Sequence, residues 1–192
     1  MKRQWIYLLC SLVVAAGVAF VACDDKNQTS NFATSFERME MIFSYAVSDD
    51  LLAVADVLIS YTDPAGESTT PEAPLSVTEW SKIFMANELP ATAVVEVQVL
   101  LKDGLTLDRD SYTLTQRWSS EFKEIRSDGK VHWHEAPDVE EQTETFTLNP
   151  SDPDALLAQI TEAVNLMNRT FRYTVAADSD GTGYEVTDNA EL

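Results

Sequence analysis

The chain has 192 residues, 13 of them basic and 32 acidic, which gives a formal charge of −19. A phosphate backbone is held by clustered Lys and Arg that release its counterions, and no such cluster is present. This composition excludes nucleic acid as a partner and disfavours direct adhesion to anionic lipid headgroups.

Lys2 and Arg3 precede an apolar run from Trp5 to Ala22, which ends in Phe20-Val21-Ala22-Cys23 and is followed by Asp24-Asp25. A cationic start, an apolar core and small residues before a cut describe a secretory signal. With a cysteine directly after the small residue, residues 1–22 resemble the signal peptide of bacterial lipoproteins, although Phe20 stands where that family most often has Leu. The resemblance implies cleavage after Ala22 and lipidation of Cys23, palmitate included, so that Cys23 becomes the mature N-terminus. The same run is about long enough to span a bilayer, which leaves an uncleaved anchor as the competing reading. Ordinary cleaved secretion is the third, and all three place the domain outside the cytoplasm. Asp24-Asp25 resembles the acidic tag of surface-displayed lipoproteins of Bacteroidota, and also the inner-membrane retention signal of enteric bacteria. The expectation is a lipid-anchored protein of the cell envelope, at the outer membrane and in one form facing the surface.

Removing Lys2 and Arg3 leaves 11 basic against 32 acidic residues, or −21 for the mature part. About 170 residues remain, enough for one domain with a real core. With Cys10 in the signal and Cys23 lipidated, no thiol is left for a disulfide or for thiol catalysis. Such a domain must be held by its core alone.

Residues 23–35 are polar and aperiodic and read as a flexible tether to a single domain over 36–192. Met39, Met41, Phe43, Tyr45 and Val47 alternate with polar residues as a strand, which Ser48-Asp49-Asp50 ends in a turn. Ala53 to Tyr61 is a second apolar run, closed by turn chemistry at Asp63-Pro64-Ala65-Gly66. Val77 to Ala86 carries Trp80 and Phe84 on one face. After Pro90 comes the cleanest alternation, with Ala93, Val95, Val97, Val99 and Leu101 against Glu96 and Gln98. Strands at Tyr112–Trp118, Glu121–Arg126, Lys130–Glu135 and Thr143–Leu148 follow at the rhythm of a sandwich, with Asp128-Gly129 as a hairpin turn. Asp152 as N-cap and Pro153 at the first helical position open an amphipathic helix over about 153–170, with Leu156, Leu157, Ile160, Ala163, Val164, Met167 and Phe171 on one stripe. Tyr173-Thr174-Val175 and Tyr184-Glu185-Val186 suit a last hairpin before an acidic, frayed end. The fold expected is mainly β, an immunoglobulin-like antiparallel β-sandwich with one C-terminal amphipathic helix.

The signal, the tether and the stretch Glu79-Trp80 through Leu89-Pro90-Ala91-Thr92 to Leu101-Lys102-Asp103-Gly104 together resemble small cell-envelope lipoproteins of gut Bacteroidota, many with immunoglobulin-like sandwiches. The resemblance covers roughly Phe43 to Thr115 plus the signal. It implies a fold and a location but supplies no catalytic residues, and fold alone does not give function.

His132 and His134 are the two histidines of the chain and, on a strand, share one face with Trp133 opposite. A zinc or copper site would need a third ligand such as Glu135 or Glu144, and none has recognisable spacing, so the expectation is a solvated strand with no metal and no cofactor. A serine hydrolase would depend on the same two histidines, and no Gly-x-Ser-x-Gly elbow is present. Asp178, Asp180, Thr182 and Gly183 match the first half of a calcium loop, but Asn189 stands where the bidentate Glu belongs. Glu140, Glu141 and Glu144 are abundant carboxylates without a defined separation. Trp80, Trp118, Trp133 and Tyr112 are the aromatics from which a flat platform for sugar rings could be built, with the sandwich core as the competing reading; Trp118 reads as core-bound, whereas Trp133 with His132 and His134 forms the candidate platform for a sugar or other ligand. The function expected is a non-catalytic accessory or scaffold lipoprotein with an envelope protein or glycan as partner. A glycan-binding lipoprotein is the alternative, and a hydrolase ranks third.

Overall fold

In the computed structural model, which describes residues 36–71, 73–133, 139–149, 152–178 and 184–188, five apolar side chains at every second position give β1 (Phe36–Val47) one dry face. Met39, Met41, Phe43, Tyr45 and Val47 are all buried. The turn expected at Ser48-Asp49-Asp50 is instead the start of a short helix, α1 (Asp49–Val54). Ser48 caps it by accepting a hydrogen bond from Leu51 N at 3.2 Å, and Asp49 and Asp50 lie in the first turn, where the helix dipole favours negative charge. Leu51 and Val54 turn into the core, so α1 carries the chain from one sheet to the other with little exposed apolar surface.

Two antiparallel five-stranded sheets result. In the first, β4 (Glu79–Ala86) pairs with β1 and β1 with β6 (Tyr112–Arg126). The other edge of β6 is shared by β8 (Val139–Leu148) along its first part and β7 (Val131–Trp133) near its end. The second sheet runs β10 (Tyr184–Asp188), β9 (Arg169–Ala177), β5 (Ala91–Leu101), β2 (Ala55–Thr62), β3 (Ser68–Thr69). The mainly-β sandwich with a C-terminal helix is thus what the chain forms. Its immunoglobulin character does not follow from the strand order. Immunoglobulin domains place their first two strands in one sheet, whereas β1 and β2 lie in opposite sheets because α1 crosses between them.

The two strands expected at Tyr112–Trp118 and Glu121–Arg126 are a single strand of 15 residues. Ser119-Ser120 interrupts the apolar alternation without breaking the strand, because β1 pairs with β6 across it, Ser44 opposite Ser119 and Phe43 opposite Ser120. The disturbance falls on the other edge, where the register with β8 shifts between Trp118 and Ser120. The hairpin at Asp128-Gly129 forms as expected, with Gly129 at a φ of 77° and its N–H donating to Arg126 O at 2.8 Å.

The helix, α2 (Pro153–Leu166), buries Leu156, Ile160, Ala163 and Val164, while Leu157 is 40% exposed and Phe171 belongs to β9. It stops short of the expected residue 170 because Asn168 intervenes. The Asn168 amide donates to Asn165 O at 3.1 Å and accepts from Val99 N at 2.9 Å, so one side chain serves both the last turn of the helix and β5. β9 begins only at Arg169, opposite Val97, and α2 packs along β5 and β8 there. Across the sandwich, Lys82 on edge strand β4 lies 4.8 Å from the Tyr61 ring of β2, beside the contacts of Tyr61 with Trp80 and Phe84.

Because Ile160 is fully buried, Ile160→Asp places an unpaired carboxylate in the core and should cost on the order of 4 kcal/mol. A melting temperature lower by roughly 10 °C is expected, with Leu157→Asp close to wild type. A wild-type melt for Ile160→Asp would instead make the stripe a docking surface.

Candidate functional site

Two polar side chains are wholly buried among the described residues, Gln116 and Glu124. Gln116 takes the core parity of β6, between Leu114 and Trp118, and its amide is fully engaged. Tyr45 Oη donates to Gln116 Oε1 at 2.6 Å, Gln116 Nε2 donates to Glu144 Oε2 at 2.5 Å, and Arg169 donates to that same carboxylate oxygen at 2.7 Å. The Arg169 guanidinium also lies 6.0 Å from the Trp118 ring. Four strands, β1, β6, β8 and β9, are joined by this chain of bonds across the two sheets. Burial pushes the Tyr45 phenol well above its ordinary value; the Arg169 charge opposes this and the Glu144 charge adds to it. Tyr45 therefore acts as a neutral donor. Glu124 is likewise matched by Arg126, which reaches it through two guanidinium nitrogens.

A second cluster pins the corner before β6. Tyr112 Oη donates to Asp108 Oδ1 at 2.8 Å and accepts from Asp108 N at 3.2 Å, while the Arg109 guanidinium covers the Tyr112 ring at 4.5 Å. Arg109 also donates to Asp50 at 2.6 Å, and the other Asp50 oxygen accepts from Thr113 N at 2.7 Å. Partial burial raises the Asp50 carboxyl, but the Thr113 and Arg109 hydrogen bonds and the Arg109 charge outweigh it and leave the group below its usual range. Both clusters use their polar groups on each other, which is the behaviour of structural networks.

Open concavity is found on the outer face of the first sheet. A depression of about 310 Å³ has Ser44, Ser81 and Ser119 in one row across β4, β1 and β6, and Glu79, Ala46 and Arg117 in the next. Small side chains at outward positions create it. Trp80 and Trp118 border it only from within the strands, since their rings meet Phe43 at 6.1 Å and Phe171 at 5.5 Å. Further along β4 the outward residues are Ile83 and Met85, 52% and 63% exposed. Among the described residues no strand pairs with the other edge of β4.

The residues singled out from sequence are distributed differently. Ala22, Cys23 and His134 lie outside the described residues. The backbones of His132 and Trp133 pair with Glu124 and Lys123 in β7, but their side chains are outside the described set, so the Trp133, His132, His134 platform is not placed. Residues 179–183, which hold most of the calcium-like stretch, also lie outside. Tyr112 belongs to the buried core, and Trp80 and Trp118 are partly buried and pack against it. Glu144 serves Gln116 and Arg169, and among the described residues no group of three or more His, Cys, Asp or Glu is arranged to hold a metal. The serine row was not anticipated, and the only signal for it is small residues at outward parity on three strands whose pairing a sequence does not show. Comparisons with protein-family models, curated proteins and solved structures give no match for this chain.

Gln116→Leu leaves the Tyr45 hydroxyl without its acceptor and takes one of two donors from Glu144, which keeps Arg169. Each unsatisfied group costs about 1–3 kcal/mol, so chemical denaturation should show a loss of roughly that size or larger, with Tyr45→Phe losing less. Tyr45 also sets an alkaline dependence. Its phenol binds its proton more tightly folded than unfolded, so the associated stability is complete below the unfolded value of about 10 and is lost as pH rises above it. Stability measured from pH 9 upward should fall less steeply in Tyr45→Phe than in wild type.

Proposed function

We propose that this chain is a non-catalytic, lipid-anchored protein of the cell envelope that works as an accessory or scaffold by binding another envelope protein. The anchor is Cys23, exposed by cleavage after Ala22, and the outer membrane is the location that the resemblance to Bacteroidota lipoproteins favours. The observation that carries the binding role is strand β4, whose outer face shows Ile83 and Met85 beside the serine-lined depression and whose outer edge is unpaired among the described residues. An exposed edge offers backbone hydrogen bonds to an added strand, and alternate side chains supply specificity. With −21 on the mature part, the complementary partner is an extended, apolar segment carrying Lys or Arg.

Mass spectrometry of the mature N-terminus should find acylated Cys23, and Cys23→Ser should release or mislocalise the protein. An unmodified Cys23, or an intact segment from Met1 to Ala22, sinks the lipoprotein reading. Met85→Lys should leave the melting temperature within about 1 °C of wild type, because surface changes rarely exceed 0.5 kcal/mol, yet remove proteins that co-purify with the tagged wild type from its own envelope. Unchanged co-purification would remove β4 from the proposal.

A further inference from the structure

The outer face of the second sheet is built differently. Two depressions, of about 500 and 280 Å³, share Ser60 and Glu96 and so adjoin as one groove. It runs across the strands rather than along them, from Thr170 on β9 over Glu96 on β5 and Ser60 on β2 to Ser68 beside β2 on β3. Three strand spacings make this about 14 Å.

We propose that this groove binds a neutral oligosaccharide lying across the sheet. The argument begins with what the groove cannot use. At the middle of the groove β5 pairs on both edges, Glu96 lying between Ser60 and Thr170, so its backbone groups are committed to the sheet and recognition there falls to side chains. Val97 points into the core, and the Tyr61 ring is taken up by Lys82 and Phe84. No exposed aromatic or long aliphatic anchor of the kind that dominates protein interfaces is left on the groove floor. Arg169 lines it as well, but its guanidinium is bound to Glu144.

The side chains that remain are hydroxyls and amides around one carboxylate. Ser60, Thr62, Ser68 and Thr170 carry rotating O–H groups that donate or accept equally well, and Gln98 adds an amide. Neighbouring hydroxyls are already within hydrogen-bond reach, Thr62 Oγ1 of Ser68 Oγ at 2.9 Å. Glu96 sits at the middle and accepts from Ser60 Oγ at 3.3 Å, a long bond that a ligand hydroxyl can replace. A carboxylate accepts strong hydrogen bonds from two adjacent hydroxyls of a sugar ring. The same negative charge, on a strongly acidic protein, repels uronic acids, sulfated sugars and phosphates. Hydroxyl-rich and uncharged is the ligand chemistry that remains.

This inference is independent of the β4 scaffold surface, and the test separates the two. The full chain in detergent is run in native gels containing β-glucan, xyloglucan, mannan, pullulan or polygalacturonate. Retardation by at least one of the four neutral polymers and by none of the anionic one is expected. Glu96→Gln and, separately, Thr170→Arg should weaken that retardation at least tenfold with unchanged melting temperature, while Met85→Lys binds as wild type. Migration unaffected by every neutral polymer, retardation by polygalacturonate alone, or retardation that survives both groove variants overturns the proposal.

Discussion

The two sheets are registered against each other by a seam of aromatic rings centred on Phe43. Its ring lies 4.9 Å from Phe171, 6.1 Å from Trp80 and 6.3 Å from Tyr173, so one side chain of the first sheet touches rings of both sheets. The seam continues through Trp80, Tyr61 and Phe84 at one side and through Phe171 and Trp118 or Tyr173 and Phe122 at the other. Tilted and edge-to-face pairs of this kind add roughly 0.5–1.5 kcal/mol each beyond the area they bury. Their larger effect is geometric. With these rings fixed, the outward side chains of β1, β4 and β6 and those of β2, β5 and β9 are fixed as well, because parity along a strand is rigid.

The polar chain from Tyr45 to Arg169 lies next to that seam and adds selectivity more than stability. A buried arrangement of a phenol, an amide, a carboxylate and a guanidinium loses much of its attraction to desolvation, so its net contribution is small when complete. Its cost when incomplete is large. A one-residue slip of β6 against β1 or β8 would turn Gln116 outward, leaving the Tyr45 hydroxyl without its acceptor and Glu144 with Arg169 alone. Arg169 extends the requirement to the second sheet, since β9 must start where its guanidinium reaches Glu144. The sequence from Phe36 onward has no cysteine, so no disulfide there shares with such side-chain constraints the task of holding two sheets in one arrangement.

Legibility in the sequence follows the range of the interactions. The dry faces of β1 and β5, the Asp128-Gly129 hairpin and the apolar stripe of α2 rest on local periodicity and turn chemistry, and those were readable. Helix α1 was read as a turn because six residues carry too little periodicity to separate a capped helix from a loop. The sequence reads β6 as two strands divided at Ser119-Ser120 because the pattern there yields to a non-local fact, the pairing of Phe43 on β1 with Ser120. The inward glutamine at position 116 could be suspected from parity, but its partners are 71 and 28 residues away. Both surface depressions depend on which strands become neighbours. No single strand contains the Ser44, Ser81, Ser119 row or the Thr170, Glu96, Ser60 row.

The contrast between the two outer faces has a physical consequence for an anchored protein. On the proposed anchor, the chain enters at Phe36, the first residue of β1, after a tether of residues 23–35. The β4 edge with Ile83 and Met85 and the hydroxyl groove around Glu96 point in opposite directions, so an added strand on one sheet leaves the groove on the other unobstructed. The proposed protein-binding surface and the proposed glycan groove are therefore compatible with simultaneous occupation, since neither ligand would cover the other's face.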